Sequence, residues 1–258
     1  MTAFAPADRA DARRPSSPEL PGRALARLVR DAAVETLWPT RCAVCDAPGQ
    51  VLCDQCARAL PAIDWWAACP RCGAPWGRLQ CCECNPVTLG ASGRTTLPLA
   101  QAASAVALDE AARAVVVTYK DRGERRLADV MAGRMAACVP PAWLDEAQAV
   151  TFVPASAAAC RRRGFDHGAL LAEGVAQRLG LPCARLLSRP RSADQRGLTR
   201  AARGANMAGS LSALPKAVEG PVIVTDDVCT TGATLCAAAD ALIAAGAPRV
   251  YALTFARA

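Results

Sequence analysis

Apolar positions along this chain change period several times, and each change marks an element. Leu25, Leu28, Val29, Ala32 and Leu37 share one helical face and predict a short amphipathic helix over 24–40. A cysteine-dense block follows, and 95–258 then alternates between strand-like and helix-like periods. A strand is expected around Ala103 to Leu108. A helix follows from Asp109 to Tyr119, with Ala112, Val115 and Val116 inward. Asp121-Arg122-Gly123 breaks it, and a second helical stretch runs from Arg126 to Cys138 until Pro140-Pro141 ends it. Ala149 to Val153 reads as a strand that stops at Pro154. Ala169 to Leu179 reads as a helix capped by Gly180, and Leu181 to Leu187 as another strand. Ser188 to Gly209 is polar and basic, with the character of a loop. Val222 to Thr225 is β-branched throughout, as in a strand covered on both faces. Leu235 to Ala245 is an alanine-rich helix with Gly246 as its stop, and Arg249 to Phe255 supplies a last strand. The alternation predicts an α/β fold, a mostly parallel sheet flanked by helices. Ligands of such sheets sit beyond the carboxyl ends of the strands.

Composition refines this picture. A length of 258 residues favours two domains. Aromatics make up only 4%, so the core must be built mainly of Ala, Val and Leu. The formal charge is +7, and Lys120 and Lys216 are the only lysines, so nearly all the positive charge is arginine. Arginine's fork suits phosphates, although a GC-rich genome would give the same bias. Residues 1–23 are rich in Pro, Ala, Arg and Ser and read as a disordered tail. No apolar run is long enough to span a membrane, and Arg13-Arg14 lacks the apolar core of an export signal, so the expected compartment is the cytoplasm. His167 is the single histidine. That excludes a metal site built on several histidines and argues against Ser-His-Asp or Cys-His catalysis. A lone histidine is expected on the surface or in a loop.

The densest chemistry lies where the β-branched strand ends. Asp226 and Asp227 follow it, then Val228-Cys229, then Thr230, Thr231, Gly232, Ala233 and Thr234, and then a helix. Backbone N–H groups from Thr230 to Thr234 can converge on an anion at the helix N-terminus, with the threonine hydroxyls beside them. Gly232 allows close approach of the backbone. The two aspartates can accept hydrogen bonds from vicinal hydroxyls such as those of a ribose. A helix cap needs one such residue, and this set exceeds that task. The two commoner phosphate loops, Gly-x4-Gly-Lys-Ser/Thr and Gly-x-Gly-x-x-Gly, are absent. Cys229 precedes the loop near a helix N-terminus, where thiols can acidify, but it reads more simply as an ordinary small residue.

Of fourteen cysteines, nine fall between Cys42 and Cys84. Eight form Cys-x2-Cys pairs, Cys42/Cys45, Cys53/Cys56, Cys69/Cys72 and Cys81/Cys84, with Cys82 left over. Four such knuckles in a reducing compartment point to two four-cysteine zinc sites rather than disulfides or a redox motif. Sequential pairing of the knuckles is favoured because short hairpins close locally; a cross-braced arrangement is the alternative. The zinc would be structural. Trp65, Trp66 and Trp76 lie in the same block and are expected to fill its small core; stacking on bases is the other reading. Between Arg161 and Arg203 there are ten arginines against three carboxylates. This run suits a solvated face, a pyrophosphate clamp or a nucleic-acid backbone.

The segment Asp226 to Thr234 resembles the phosphoribosyl pyrophosphate (PRPP) signature of type I phosphoribosyltransferases. Together with the four knuckles it resembles the ComF family. Tyr119-Lys120-Asp121 is similar to that family's lysine segment. Arg161 to His167 with Leu170-Leu171-Ala172 is similar to its Arg-x-Arg-Gly-Phe-Asn-Gln motif, and Gln195-x-Gly197-Leu198-Thr199 with Arg203 and Asn206 to its downstream loop. Asp166-His167 stands where the family has Asn-Gln, and Val153-Pro154-Ala155-Ser156 where it has Pro-Val-Pro-Leu. The resemblance implies a type I phosphoribosyltransferase fold over 95–258 behind a double zinc ribbon over 41–86. It implies PRPP, or another ribose-5-phosphate ligand, bound with Mg2+. Asp226 and Asp227 would hold the ribose hydroxyls, and Thr230 to Thr234 the 5-phosphate. Pro154, Ala155, Ser156, Lys120 and Arg163 would face the pyrophosphate. Amidophosphoribosyltransferase-like transfer and a link to DNA uptake in competence also follow from the resemblance alone. The competing reading is a non-catalytic module that binds single-stranded DNA or a competence ATPase. Transcriptional regulation ranks last, since nothing resembles a helix-turn-helix reader.

Overall fold

The computed structural model describes residues 39–189, 211–215 and 220–258. The expected tail 1–23, the expected helix 24–40 save its last two residues, and the loop carrying Gln195, Arg203 and Asn206 lie outside the described residues. A compact unit, Arg41–Ala258, contains both the cysteine block and the α/β region.

Four strands make the main sheet: β1 Gln101–Ala107, β2 Ala149–Phe152, β5 Val222–Cys229 and β6 Val250–Arg257, in the order β1-β6-β5-β2. Every pairing is parallel, as the alternating pattern predicts. A separate antiparallel pair is formed by β3 Leu187–Ser188 and β4 Ser212–Ala213. The expected strand over Leu181 to Leu187 is corrected to this short β3. Upstream of it only a bridge between Cys183 and Val150 survives, because Pro182 lacks the N–H that a ladder needs.

The helices are α1 Asp54–Ala59 and α2 Pro86–Ala91 in the cysteine block and its exit. The α/β region holds α3 Glu110–Lys120, α4 Leu127–Ala137, α5 Pro141–Leu144, α6 Ala157–Arg163, α7 His167–Leu179 and α8 Ala233–Ala244. Their starts follow their sequences. Asp109 caps α3, Ser156 caps α6 and Asp166 caps α7 through side-chain oxygens, while Gly164 and Gly180 end α6 and α7 in left-handed conformation.

Burial sorts the helices by face. Val115, Met131, Leu171 and Val175 from α3, α4 and α7 join Val150, Ile223, Leu253 and Phe255 on one side of the sheet. Leu235, Ala238 and Leu242 from α8 join Val222, Val224 and Ala252 on the other. The strand run Val222-Ile223-Val224 is therefore apolar on both faces because both are covered. Adjacent strands β2 and β5 send their chains to helices on opposite faces, which opens a crevice at their carboxyl ends.

The large core aromatic is Trp143, stacked on Tyr251 with ring centroids 4.6 Å apart. The expectation that Trp66 and Trp76 fill the cysteine block is corrected: they are 74% and 85% exposed. Trp65 alone packs against the core, so the small block spends little aromatic area inside.

The cysteine block is joined to the sheet by backbone. Ile63 N–H donates to Ala105 O at 3.1 Å and Ala107 N–H to Pro61 O at 2.8 Å, so residues 61–63 lie along β1 like a rudimentary strand.

Candidate functional site

Two sites emerge, one from neighbours in sequence and one from residues far apart. The first is the cysteine block. Cys42, Cys45, Cys53 and Cys56 gather in one cluster and Cys69, Cys72, Cys81 and Cys84 in another, with each cluster's sulfurs within 4.8 Å of one another. The structure thus groups the knuckles sequentially. Nearest sulfur pairs are 3.7 Å apart for Cys45 and Cys53, 3.6 Å for Cys69 and Cys84, and 3.4 Å for Cys72 and Cys81. These are far from a disulfide length and close to the edge of about 3.8 Å in a tetrahedron with metal–sulfur bonds of about 2.3 Å.

Further features fit a cation. In the first cluster burial pushes the Cys42 thiol up, but backbone hydrogen bonds from Cys45, Cys53 and Val44 outweigh it and bring it to about 6. Cys56 in the same cluster is pushed up to about 12, mainly by its contacts with the Cys45 and Cys53 thiols. Burial also pushes Cys84 up to about 12 in the second cluster. The sulfurs of one cluster cannot all ionise together unless a cation shares the centre. At Gly77 a Cβ would stand 2.5 Å from Cys69 Cβ and 3.0 Å from Cys81 Sγ, so the second cradle has no room for any side chain there. Both groups can hold a tetrahedral metal ion.

The second site lies at the carboxyl ends of β2 and β5. β5 does not stop at Thr225, as the apolar pattern suggests, but continues through both aspartates to Cys229. Asp227 is buried, with 3% exposure, and Asp226 is partly buried. Lys120, the last residue of α3, brings Nζ to 2.7 Å from Asp227 Oδ2. That approach is not aligned as a hydrogen bond, and Oδ2 keeps acceptor capacity. Loss of surrounding water, then the Asp227 charge, pushes the Asp226 carboxyl up to about 8. Near neutral pH the Asp226 carboxyl thus favours its proton.

His167 corrects an expectation. It is not a surface residue: it is 6% exposed at the start of α7, with Nε2 3.7 Å from Asp227 Oδ2. Its Nδ1 lies 3.2 Å from Arg163 Nη1. Guanidinium can only donate, so Nδ1 accepts and Nε2 carries the ring proton toward Asp227. Burial, and then the Lys120 and Arg163 charges, hold the imidazole below its usual pKa despite the opposing pull of Asp227. Arg163 also reaches Asp121 Oδ1 at 3.0 Å through Nη2. Above the ring, the Tyr119 hydroxyl donates to His167 O at 2.5 Å. A chain Asp121–Arg163–His167–Asp227–Lys120 results, drawn from α3, α6, α7 and β5.

The turn Val153 to Ser156 is held to the same cluster. Asp166 accepts from Gly168 N–H at 3.0 Å and from Ala155 N–H at 3.3 Å. Val153 N–H donates to Thr225 O at 3.1 Å. Gly168 is required here, since a Cβ would meet Val153 O at 2.6 Å. A cleft of about 560 Å³ opens beside this turn, lined by Ala155, Cys160, Arg161, Phe165, Asp166 and Arg185 among others; neither aspartate of β5 is among its lining residues.

The loop after β5 reverses at Gly232, where φ is +73°. Its left-handed backbone makes glycine the fitting residue there. Helix α8 begins at Ala233, two residues earlier than its apolar run suggests, and its N-cap Gly232 has no side chain to occupy the first amides. Thr231 Oγ1 accepts from Ala233 N–H only at 3.4 Å. The α3, α6 and α7 starts are side-chain capped; those of α4, α5 and α8 are not, and the α8 start follows the acid-bearing strand with its amides available for an anion. Thr230 and Thr231 are exposed, and Thr234 is partly buried. Cys229 beneath them is buried, which pushes its thiol up to about 12 and disfavours the thiolate.

Sequence reasoning missed His167, Tyr119, Asp121 and Asp166 as parts of this cluster. Ser156 and Gly164, a start and a stop with seven residues between them, are the signal that could have found helix α6.

Residues 166–258 match the sequence profile of a family described as Phosphoribosyl transferase domain, less than half of the chain. No curated protein matches the chain. Among solved structures, one described as the allosteric regulatory enzyme of purine biosynthesis is 26% identical, with a TM-score of 0.34, over 49% of this chain and 25% of that one. The glutamine phosphoribosylpyrophosphate (PRPP) amidotransferase from B. subtilis complexed with ADP and GMP is 27% identical, with a TM-score of 0.34, over 48% of this chain and 25% of that one. The chain thus spans about a quarter of the length of each. Its C-terminal part has the α/β fold of a phosphoribosyl transferase domain, behind two four-cysteine clusters. No helix among the described residues is long and apolar enough to cross a membrane.

Proposed function

We propose that this protein binds PRPP, or a related ribose 5-phosphate, at the carboxyl ends of β2 and β5 and transfers its phosphoribosyl group with release of pyrophosphate. One observation carries the reading: α8 starts without a side-chain cap directly after two strand-borne acids, so an anion can take the cap's place beside groups that accept from sugar hydroxyls. Thr230, Thr231, Gly232, Ala233 and Thr234 receive the 5-phosphate. Asp226 and Asp227 take the ribose hydroxyls. Pro154, Ala155 and Ser156, with Lys120 and Arg163, lie on the pyrophosphate side.

Positive charge builds at the anomeric carbon as pyrophosphate departs, and the site answers with placed charges rather than a strong base. Asp227 is held by Lys120 and faced by His167 Nε2–H, which fixes its carboxylate before any ligand arrives. Mg2+, when bound with PRPP, supplies charge neutralisation to the pyrophosphate oxygens. The two cysteine clusters hold Zn2+ in closed, structural sites. The ComF-like motifs are what supports extending this proposal to a role in DNA uptake during competence. Calorimetry with ribose 5-phosphate and with PRPP plus Mg2+, followed by assay of PRPP-dependent pyrophosphate release over candidate acceptors, tests the reading. Absence of heat from well-folded, metal-loaded protein would sink it.

A second reading has an observation in its favour. Trp66 and Trp76 are exposed on the cysteine block, and Arg78 lies 5.6 Å over the Trp66 ring. Exposed aromatics beside arginine suit stacking on single-stranded bases. Tryptophan quenching by an oligothymidylate, weakening steeply with salt, would favour a non-catalytic DNA-binding role; no quenching at low salt removes it.

A further inference from the structure

A peptide unit is planar and trans, so its C=O and N–H point in opposite directions. A loop that aims amides outward at an anion must therefore turn the partner carbonyls inward, where each needs a donor. Behind the α8 loop Arg257 Nη1 donates to Thr230 O and, at 3.1 Å, to Cys229 O, which also accepts from Ala258 N–H at 3.0 Å. The peptides so held are those whose N–H groups belong to Thr230 and Thr231.

Arg257 sits at the end of β6, paired in register with Cys229, and its side chain is buried. Its Nη1 reaches Ala258 O as well, at 2.7 Å. Its Nη2 pairs with Glu83 Oε2. Glu83 lies between Cys81 and Cys84 of the second cluster and donates its own N–H to Cys81 Sγ at 3.4 Å. Burial weighs against the guanidinium charge, and the sulfurs of Cys72 and Cys81 support it. One cation thus spans from a four-sulfur centre to the back of the phosphate loop. Its Nε finds no partner among the described residues, a cost accepted for a buried position that two other nitrogens require.

We infer that Arg257 is a positioning residue: it fixes the peptide planes of the loop at Thr230 and Thr231, and it takes its own placement from Glu83 in the second cysteine cluster. The inference rests on the reading of that loop as a phosphate site. Arg257 touches no ligand, since it lies on the carbonyl side of the peptides. A lysine would serve less well, because it brings one nitrogen on a flexible stem where the planar guanidinium holds Nη1 at the carbonyls and Nη2 at the carboxylate. A loop already ordered loses less freedom on binding, which is where affinity would be gained.

The full-length, metal-loaded protein is compared with Arg257→Met, Arg257→Lys and Glu83→Gln. Three quantities are read: hydrogen exchange of the 229–234 amides without ligand, calorimetric affinity for ribose 5-phosphate, and zinc content. Arg257→Met should speed loop exchange by about tenfold or more and weaken ribose 5-phosphate about 10- to 100-fold. Zinc stoichiometry and exchange in α4 and α7 should stay as in wild type, which a general loss of stability would not allow. Arg257→Lys and Glu83→Gln should move loop exchange and affinity in the same direction by smaller factors. Chelation of the wild-type metal should reproduce the loop exchange of Arg257→Met. Unchanged loop exchange in folded Arg257→Met overturns the inference; if that variant does not fold, unchanged exchange in both Arg257→Lys and Glu83→Gln does so. Wild-type protein that gives no heat with ribose 5-phosphate would instead remove the phosphate-site reading, and loop exchange would still decide the role of Arg257.

Discussion

The cysteine clusters and the acid cluster at β5 solve the same problem by opposite routes. Each crowds groups that resist ionising together. In the cysteine block the four ligands of a cluster come from a span of sixteen residues or fewer, Cys69 to Cys84 being the longer, and in the second Cys69 and Cys84 are buried. At β5 the compensating charge comes from Lys120, with His167 and its partner Arg163 beside it, all far from Asp227 in sequence, and Asp226 is only partly buried. A closed centre of local ligands belongs to folding, since the chain gains by completing it. An open centre of distant residues must be held by the fold and stays available for a ligand.

Metal removal should show the largest contrast. Structural zinc sites contribute about 10–16 kcal/mol in isolated finger peptides. Chelation, or Gly77→Ala with its Cβ against Cys69, should empty the second cluster and melt the block, seen as zinc per chain and as a lost thermal transition. If the block keeps its melting temperature without metal, the division between closed and open centres fails.

Next in size is Asp227→Asn. Lys120 would then lose its buried partner, at about 3 kcal/mol in chemical denaturation. Affinity for ribose 5-phosphate should fall at least about tenfold, as a charged acceptor is lost. A stability loss without any change in affinity would make Asp227 structural only.

Asp226→Asn isolates the effect of pH. The folded pKa of Asp226 is raised to about 8, so its contribution to stability is complete below the unfolded carboxylate value. It declines as pH rises toward about 8, where the native carboxyl must ionise. Wild-type stability should therefore drop across that window by on the order of 2 kcal/mol, discounted for partial exposure, and the Asn variant should lose that slope. Denaturation midpoints from pH 4.5 to 8.5 check it; parallel curves would place the raised group elsewhere.

The smallest effect is expected at the exposed ring. Trp76→Ala should change stability by less than about 0.5 kcal/mol, whereas Trp143→Ala, stacked on Tyr251, should cost about 3–5 kcal/mol. Urea unfolding separates the two.

What could be read from the sequence follows the same division. Cys-x2-Cys spacing and the run from Val222 to Thr234 keep their meaning within a short window, so knuckles, strand, acids and loop were readable in place. His167 was misread because its burial comes from docking of α7 against β2 and β5, which no neighbour in sequence reports. Trp66 and Trp76 were misread because aromatic content suggested a core that the metal cradle makes unnecessary. The Leu181 to Leu187 run was apolar enough for a strand, yet Pro182 broke its ladder. Arg257 carried no local signal at all: its partner Glu83 lies 174 positions away.

The lie of residues 61–63 along β1 has a counterpart at the opposite border, where Val150 N–H donates to Pro182 O and Ala184 N–H to Val150 O, each at 2.9 Å. Both flanks of the main sheet are thereby occupied by the chain's own backbone. Strand addition, the easiest route by which one copy of a sheet protein captures another, is obstructed where these segments lie. Loosening the cysteine block would uncover β1 to strangers.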